Sequence, residues 1–138
     1  MLKVNNLSGG YGGKKIIKNM TFHVEKGRIL GILGPNGSGK STLLKMISGV
    51  LKPETGEIFI EEKPLKSYDN KQLAKKMAVL PQLNASAFTN SVYDAVSLGR
   101  YPHQSGFFSS WTEEDEVAVQ RAMESTGVSH YKNQYLEF

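Results

Sequence analysis

The sequence predicts an α/β fold, and three observations predict it. Residues 28–33, Arg28-Ile29-Leu30-Gly31-Ile32-Leu33, form a short, almost wholly apolar run without alternation, the pattern of a strand covered on both faces. A glycine-rich turn follows, and then Leu43, Met46 and Ile47 recur at i, i+3 and i+4, the spacing of one helix face. At the front, Met20, Phe22 and Val24 alternate with Thr21 and His23, as in a half-buried strand. The expected architecture is an antiparallel β section, then a strand–loop–helix core, then the start of a helical part.

Each element can be justified in chain order. Residues 2–7 alternate loosely and read as a strand. Gly9-Gly10-Tyr11-Gly12-Gly13 reads as a turn, because glycines accept positive φ. Residues 20–24 are the next strand, closed by the Glu25-Lys26-Gly27 turn, and residues 28–33 are the buried strand. A helix should run from about Lys40 to a stop at Gly49. Lys52-Pro53-Glu54-Thr55-Gly56 is a turn, and residues 57–60 a strand. Ser67 or Asp69 can cap a helix to about Lys76, and residues 77–80 read as a short apolar strand ending at Pro81-Gln82. Residues 91–98 predict a helix with Val92, Ala95 and Val96 on one face, and residues 101–110 a loop. Thr112-Glu113-Glu114-Asp115 opens a last helix to about Ser125, before Gly127, with acids in its first turn to suit the helix dipole.

Composition narrows the function classes. At 138 residues there is room for one domain with a core. The 17 Lys and Arg against 13 Asp and Glu give a net charge of +4, but the lysines are scattered and not interleaved with aromatics. A nucleic-acid groove is therefore not expected. With no cysteine, neither a disulfide framework nor a thiolate metal site can form. The N-terminus lacks a basic-then-apolar signal, and the longest apolar run is far below the ~20 residues of a spanning helix. A membrane role is expected only through a partner.

The chemistry is carried by Gly34-Pro35-Asn36-Gly37-Ser38-Gly39-Lys40-Ser41-Thr42, which fits the phosphate-loop pattern G-x-x-x-x-G-K-[ST]. Its glycines let the backbone curl so that N–H groups point inward at phosphate oxygens. The helix that follows turns its free N–H groups and positive dipole end toward the same anion. Lys40 supplies a mobile charge for the β and γ phosphates, Ser41 a hydroxyl for Mg2+, and Thr42 extends the cradle beside the α phosphate.

The wording of this loop resembles the Walker A segment of ABC-transporter ATPases, and other features follow in that family's order. The resemblance covers nearly the whole chain and implies a P-loop NTPase core, ATP and Mg2+ as cofactors, and a β section and P-loop core over about residues 1–85 with a helical subdomain beginning at about 86. Tyr11 stands where the family places an aromatic that stacks on adenine. Gln82, after Val79-Leu80-Pro81, stands where the family places the Q-loop glutamine that touches Mg2+. Thr55-Gly56-Glu57-Ile58 is similar to the family's turn into a strand, and Ser97-Leu98-Gly99-Arg100-Tyr101-Pro102-His103 resembles importers of iron–siderophore, haem or cobalamin. The implied partners are membrane permease subunits and a second ATPase module, at the cytoplasmic face of the membrane.

Two features run against a complete match. Leu7-Ser8-Gly9-Gly10 spells the start of the family's signature but lies upstream of the phosphate loop, and the residues after it are poor helix material. No Walker B strand, catalytic Glu or switch His follows, so no catalytic set is complete, and the acids at 113–116 begin a helix instead of ending an apolar strand. The chain is expected to be a fragment of a transport-coupled ATPase that binds ATP and hydrolyses it hardly at all. Its sheet is expected to have open edges, favouring dimers, swapping or aggregation. The alternatives are another P-loop NTPase, although Asn70-Lys71-Gln72-Leu73 lacks the Asp of a guanine-reading motif, and a non-catalytic nucleotide-binding regulatory module.

Overall fold

The computed structural model describes residues 1–80, 91–104 and 110–135. They fall into two compact units, Met1–Leu73 and Ala74–Phe138.

The first unit is built on a four-stranded sheet in the order β2-β1-β3-β4. Strands β1 (Leu2–Tyr11) and β2 (Lys14–Val24) form an antiparallel hairpin around Gly12 and Gly13. Strand β3 (Thr55–Ile60) pairs antiparallel with the other edge of β1, and the two-residue β4 (Lys63–Pro64) with β3. Val4 stands opposite Phe22 on one side and Ile58 on the other, and both Val4 and Leu7 are fully buried. Between them the register shifts at Asn6, whose N–H turns aside to Thr21 Oγ1 at 2.8 Å. Such an irregularity re-aims the residues after it.

Helix α1 (Lys40–Ile47) buries Thr42, Leu43, Met46 and Ile47, and Gly49 ends it as expected. Met46 lies over β1: a Cβ on Gly9 would come within 2.7 Å of its Cε. Burying a side chain of this size stabilises by about 1.5–3 kcal/mol. The short helix α2 (Asn70–Ala74) begins after Asp69, whose carboxylate accepts the Gln72 N–H at 2.7 Å, so Asp69 and not Ser67 caps it.

Several expectations are corrected. Strand β1 runs on through Gly9, Gly10 and Tyr11, so only Gly12 and Gly13 form the turn. A Cβ on Gly10 would lie 1.9 Å from the Lys14 carbonyl oxygen, so glycine there serves close strand approach. The same observation disposes of Leu7-Ser8-Gly9-Gly10 as a helix-opening signature. The expected strand at residues 28–33 is not formed, and Ile29 and Leu33 are 100% and 94% exposed. The expected strand at residues 77–80 is also absent, with Leu80 90% exposed. A strand needs a neighbour to satisfy its backbone groups. Among the described residues neither run has one.

In the second unit, α3 (Val92–Ser97) starts with a capping box in which Ser91 Oγ accepts the Asp94 N–H and Asp94 accepts the Ser91 N–H. It continues as a tighter 3-10 turn, Leu98–His103, that carries Gly99 and Pro102. Helix α4 (Glu113–Ser125) has the same device in Thr112 and Asp115, and ends before Gly127. Val119 and Met123 are its buried face. Asp115 is buried as well, tied to Arg100 Nε at 2.7 Å. That guanidinium, with the Thr112 hydroxyl and amide, holds the Asp115 carboxyl below its ordinary range. Tyr93 donates its hydroxyl to Glu116, and Trp111 Nε1 donates to the same carboxylate at 3.2 Å. These bonds lower the Glu116 pKa, and the first of them raises that of Tyr93. No helix among the described residues is long and apolar enough to cross a membrane.

Candidate functional site: the loop that starts helix α1

Residues 34–42 turn the chain from the apolar run at 28–33 into α1. Ser38 N–H donates to the Pro35 carbonyl at 3.2 Å, which closes a turn over Asn36 and Gly37. Gly39 is the N-cap, at φ 96° and ψ 5°, with no side-chain cap. A Cβ there would meet Ile16 Cγ2 at 2.9 Å and Ile17 Cδ1 at 3.0 Å. Conformation and space both demand glycine at this corner.

The electrostatics favour an anion. The first N–H groups of a helix have no intrahelical acceptor, and together they carry about half a positive charge. No acid lies in the first turn of α1 to neutralise them. Lys40 adds a full charge, with Nζ donating to the carbonyls of Gly34 at 2.7 Å and Pro35 at 2.8 Å. Neutral carbonyls hold an ammonium less strongly than phosphate oxygens do. The donor set therefore fits a polyphosphate. Ser41 exposes its hydroxyl one residue on, an oxygen of the kind that suits Mg2+, while Thr42 is buried.

Tyr11 lies in the same unit, at the end of β1 beside the hairpin turn, with its ring about half exposed. The structure brings it beside α1: Lys45 Nζ is 5.7 Å from the centre of the Tyr11 ring. The sequence reading did not single out Lys45, since its neighbours in sequence do not point to Tyr11. Gln82, the expected second Mg2+ contact, lies outside the described residues. A cavity of about 510 Å³ near the C-terminal end of α1 is lined by Met46, Gly49, Leu51, Pro53, Ile58 and Leu73 among others, and by none of the expected site residues.

Fold and loop define a class, an α/β nucleotide-binding domain of the phosphate-loop type. Comparison with known proteins places it more finely. Residues 17–137 match the family described as ABC transporter. The chain is 50% identical over 130 residues to the uncharacterized ABC transporter ATP-binding protein YvrA of Bacillus subtilis, covering 94% of this chain and 29% of that protein. It is 38% identical over 137 residues to the petrobactin import ATP-binding protein YclP of the same organism, covering 99% of this chain and 53% of that protein. Among solved structures it is similar to cbiO1 of Clostridium perfringens, part of the ABC transporter complex cbiONQ. The TM-score is 0.72 and the identity 30%, over 97% of this chain and 53% of that one. The chain belongs to the ABC transporter family. It spans about half the length of YclP and less of YvrA.

Proposed function

We propose that this chain binds MgATP at residues 34–42 and forms part of an importer ATPase that couples ATP binding and hydrolysis to substrate uptake. The observation that carries the reading is the start of α1, a helix without a side-chain cap or first-turn acid, with the Lys40 ammonium held at the loop. In this reading the N–H groups of the loop and Lys40 hold the phosphates, Ser41 and Gln82 hold Mg2+, and Tyr11 stacks on the base.

The whole protein would work at the inner face of the membrane, paired with a second ATPase module and docked on permease subunits. The petrobactin-import relative and the resemblance at residues 97–103 support iron–siderophore, haem or cobalamin as cargo. Phosphoryl transfer needs a positioned nucleophile as well as a cradle. The chain by itself is therefore expected to bind nucleotide and turn it over hardly at all.

Calorimetric titration of MgATP tests the binding. Lys40→Ala should weaken it about ten-fold or more, since bonds to a charged donor are worth ~1.5–3 kcal/mol. Equal binding by both proteins would remove the assignment. Steady ATP turnover that Lys40→Ala abolishes would overturn the expectation of an inactive chain.

A further inference from the structure

Lys45 is absorbed neither by the core nor by the phosphate loop. It projects from the exposed side of α1, and among the described residues no carboxylate pairs with its ammonium. What it meets is the Tyr11 ring, at 5.7 Å from Nζ to centroid, within the range at which a cation is attracted to an aromatic face. Helical rise of ~1.5 Å per residue sets Lys45 about 7.5 Å along the axis from Lys40. One helix thus carries the loop lysine at its start and this second lysine a turn and a half later, against an aromatic from another element.

We infer that Lys45 is a positioning residue for the base of the nucleotide: its ammonium holds one face of Tyr11 and leaves the other face presented for stacking. The inference rests on the proposed nucleotide site and extends it. Tyr11 ends a strand at a hairpin corner and is about half exposed, and the Lys45 ammonium lies over its ring. A ring already held in place loses less conformational freedom when a base stacks on it. Lys45 acts through Tyr11, so its contribution should exist only where there is a base to stack and a ring to hold.

The experiment is calorimetric titration of MgATP and of magnesium tripolyphosphate into wild type, Lys45→Met, Lys45→Arg, Tyr11→Leu and the Lys45→Met/Tyr11→Leu double variant. Lys45→Met should weaken MgATP binding about two- to five-fold, the range of an exposed cation–π contact, and leave tripolyphosphate binding unchanged. Lys45→Arg should retain wild-type affinity, and Lys45→Met should cost nothing further in the Tyr11→Leu background. Equal losses for MgATP and tripolyphosphate would overturn the inference by showing that Lys45 acts on phosphate. An undiminished effect in the Tyr11→Leu background, or no effect at all, would also overturn it. A wild-type chain that binds tripolyphosphate but gains nothing from the base would sink this inference alone, whereas one that binds neither ligand would sink the phosphate-loop reading with it.

Discussion

Helices α1 and α4 both follow a loop, yet their first turns are built on opposite plans. Helix α4 begins with Thr112 and Asp115 in a reciprocal capping box, and Glu113, Glu114, Asp115 and Glu116 fill its first turn. Its N–H groups and its dipole are answered from within the chain. Helix α1 begins on a left-handed glycine with no side-chain cap and no acid, and its first residue is a lysine. Judged as helix starts, the first stabilises itself and the second forgoes that stabilisation. The difference separates a helix start answered from within the chain from one left unanswered, as the proposed phosphate site requires.

The largest expected effect tests whether the α1 corner can be anything but glycine. Gly39→Ala combines a left-handed backbone with a Cβ pressed on Ile16 and Ile17, and should destabilise the first unit by about 2–4 kcal/mol in urea denaturation. The reciprocal change, Thr112→Gly at the α4 cap, should cost only a few tenths of a kcal/mol. Comparable losses at the two caps would erase the contrast.

Next comes Ser41→Asp, which gives α1 an acid like those of α4. It should stabilise the helix by ~0.3–1 kcal/mol while weakening MgATP binding about ten-fold or more, through like-charge repulsion. Opposite signs in melting temperature and affinity would sharpen the comparison, and unchanged affinity would break it. Thr112→Ala is a smaller test on the other side, and should lower stability by about 1 kcal/mol with MgATP affinity unaltered.

The most gradual effect is acid. Asp94, Asp115 and Glu116 all have lowered pKa values: Ser91 bonds the first, Arg100 and Thr112 the second, Tyr93 and Trp111 the third. A folded-state pKa below the unfolded value gives stability that is full above the unfolded pKa and is lost as pH falls through the folded one. That places the loss below about pH 4, the ordinary carboxylate range. Trp111 is the one tryptophan of the chain and bonds Glu116, so its fluorescence should report loosening of the second unit there. A flat signal down to strong acid would show that these bonds do not hold it.

How much of this was legible depended on whether a residue's role is local. The start of α1 could be read because Gly34, Gly37, Gly39, Lys40 and Ser41 stand at the fixed spacing of the phosphate-loop pattern. Helix α4 could be read because its cap, acids and apolar positions lie within one short span. Residues 28–33 and 77–80 misled the reading: apolar character says that a run prefers to be covered, but a strand also needs a neighbour. The glycines of β1 misled in the other direction. Gly9 and Gly10 looked like a turn, while the contacts that require them, Met46 and the Lys14 carbonyl, lie elsewhere along the chain. Lys45 stayed hidden for the same reason, since nothing nearby in sequence ties it to Tyr11.

The apolar run at residues 28–33 also bears on how the MgATP titrations are read. Ile29 and Leu33 face solvent, and uncovered apolar side chains invite association between chains as concentration rises. A phosphate-loop affinity that belongs to one chain should therefore be independent of chain concentration, and self-association through this run would show itself as an affinity that drifts with it.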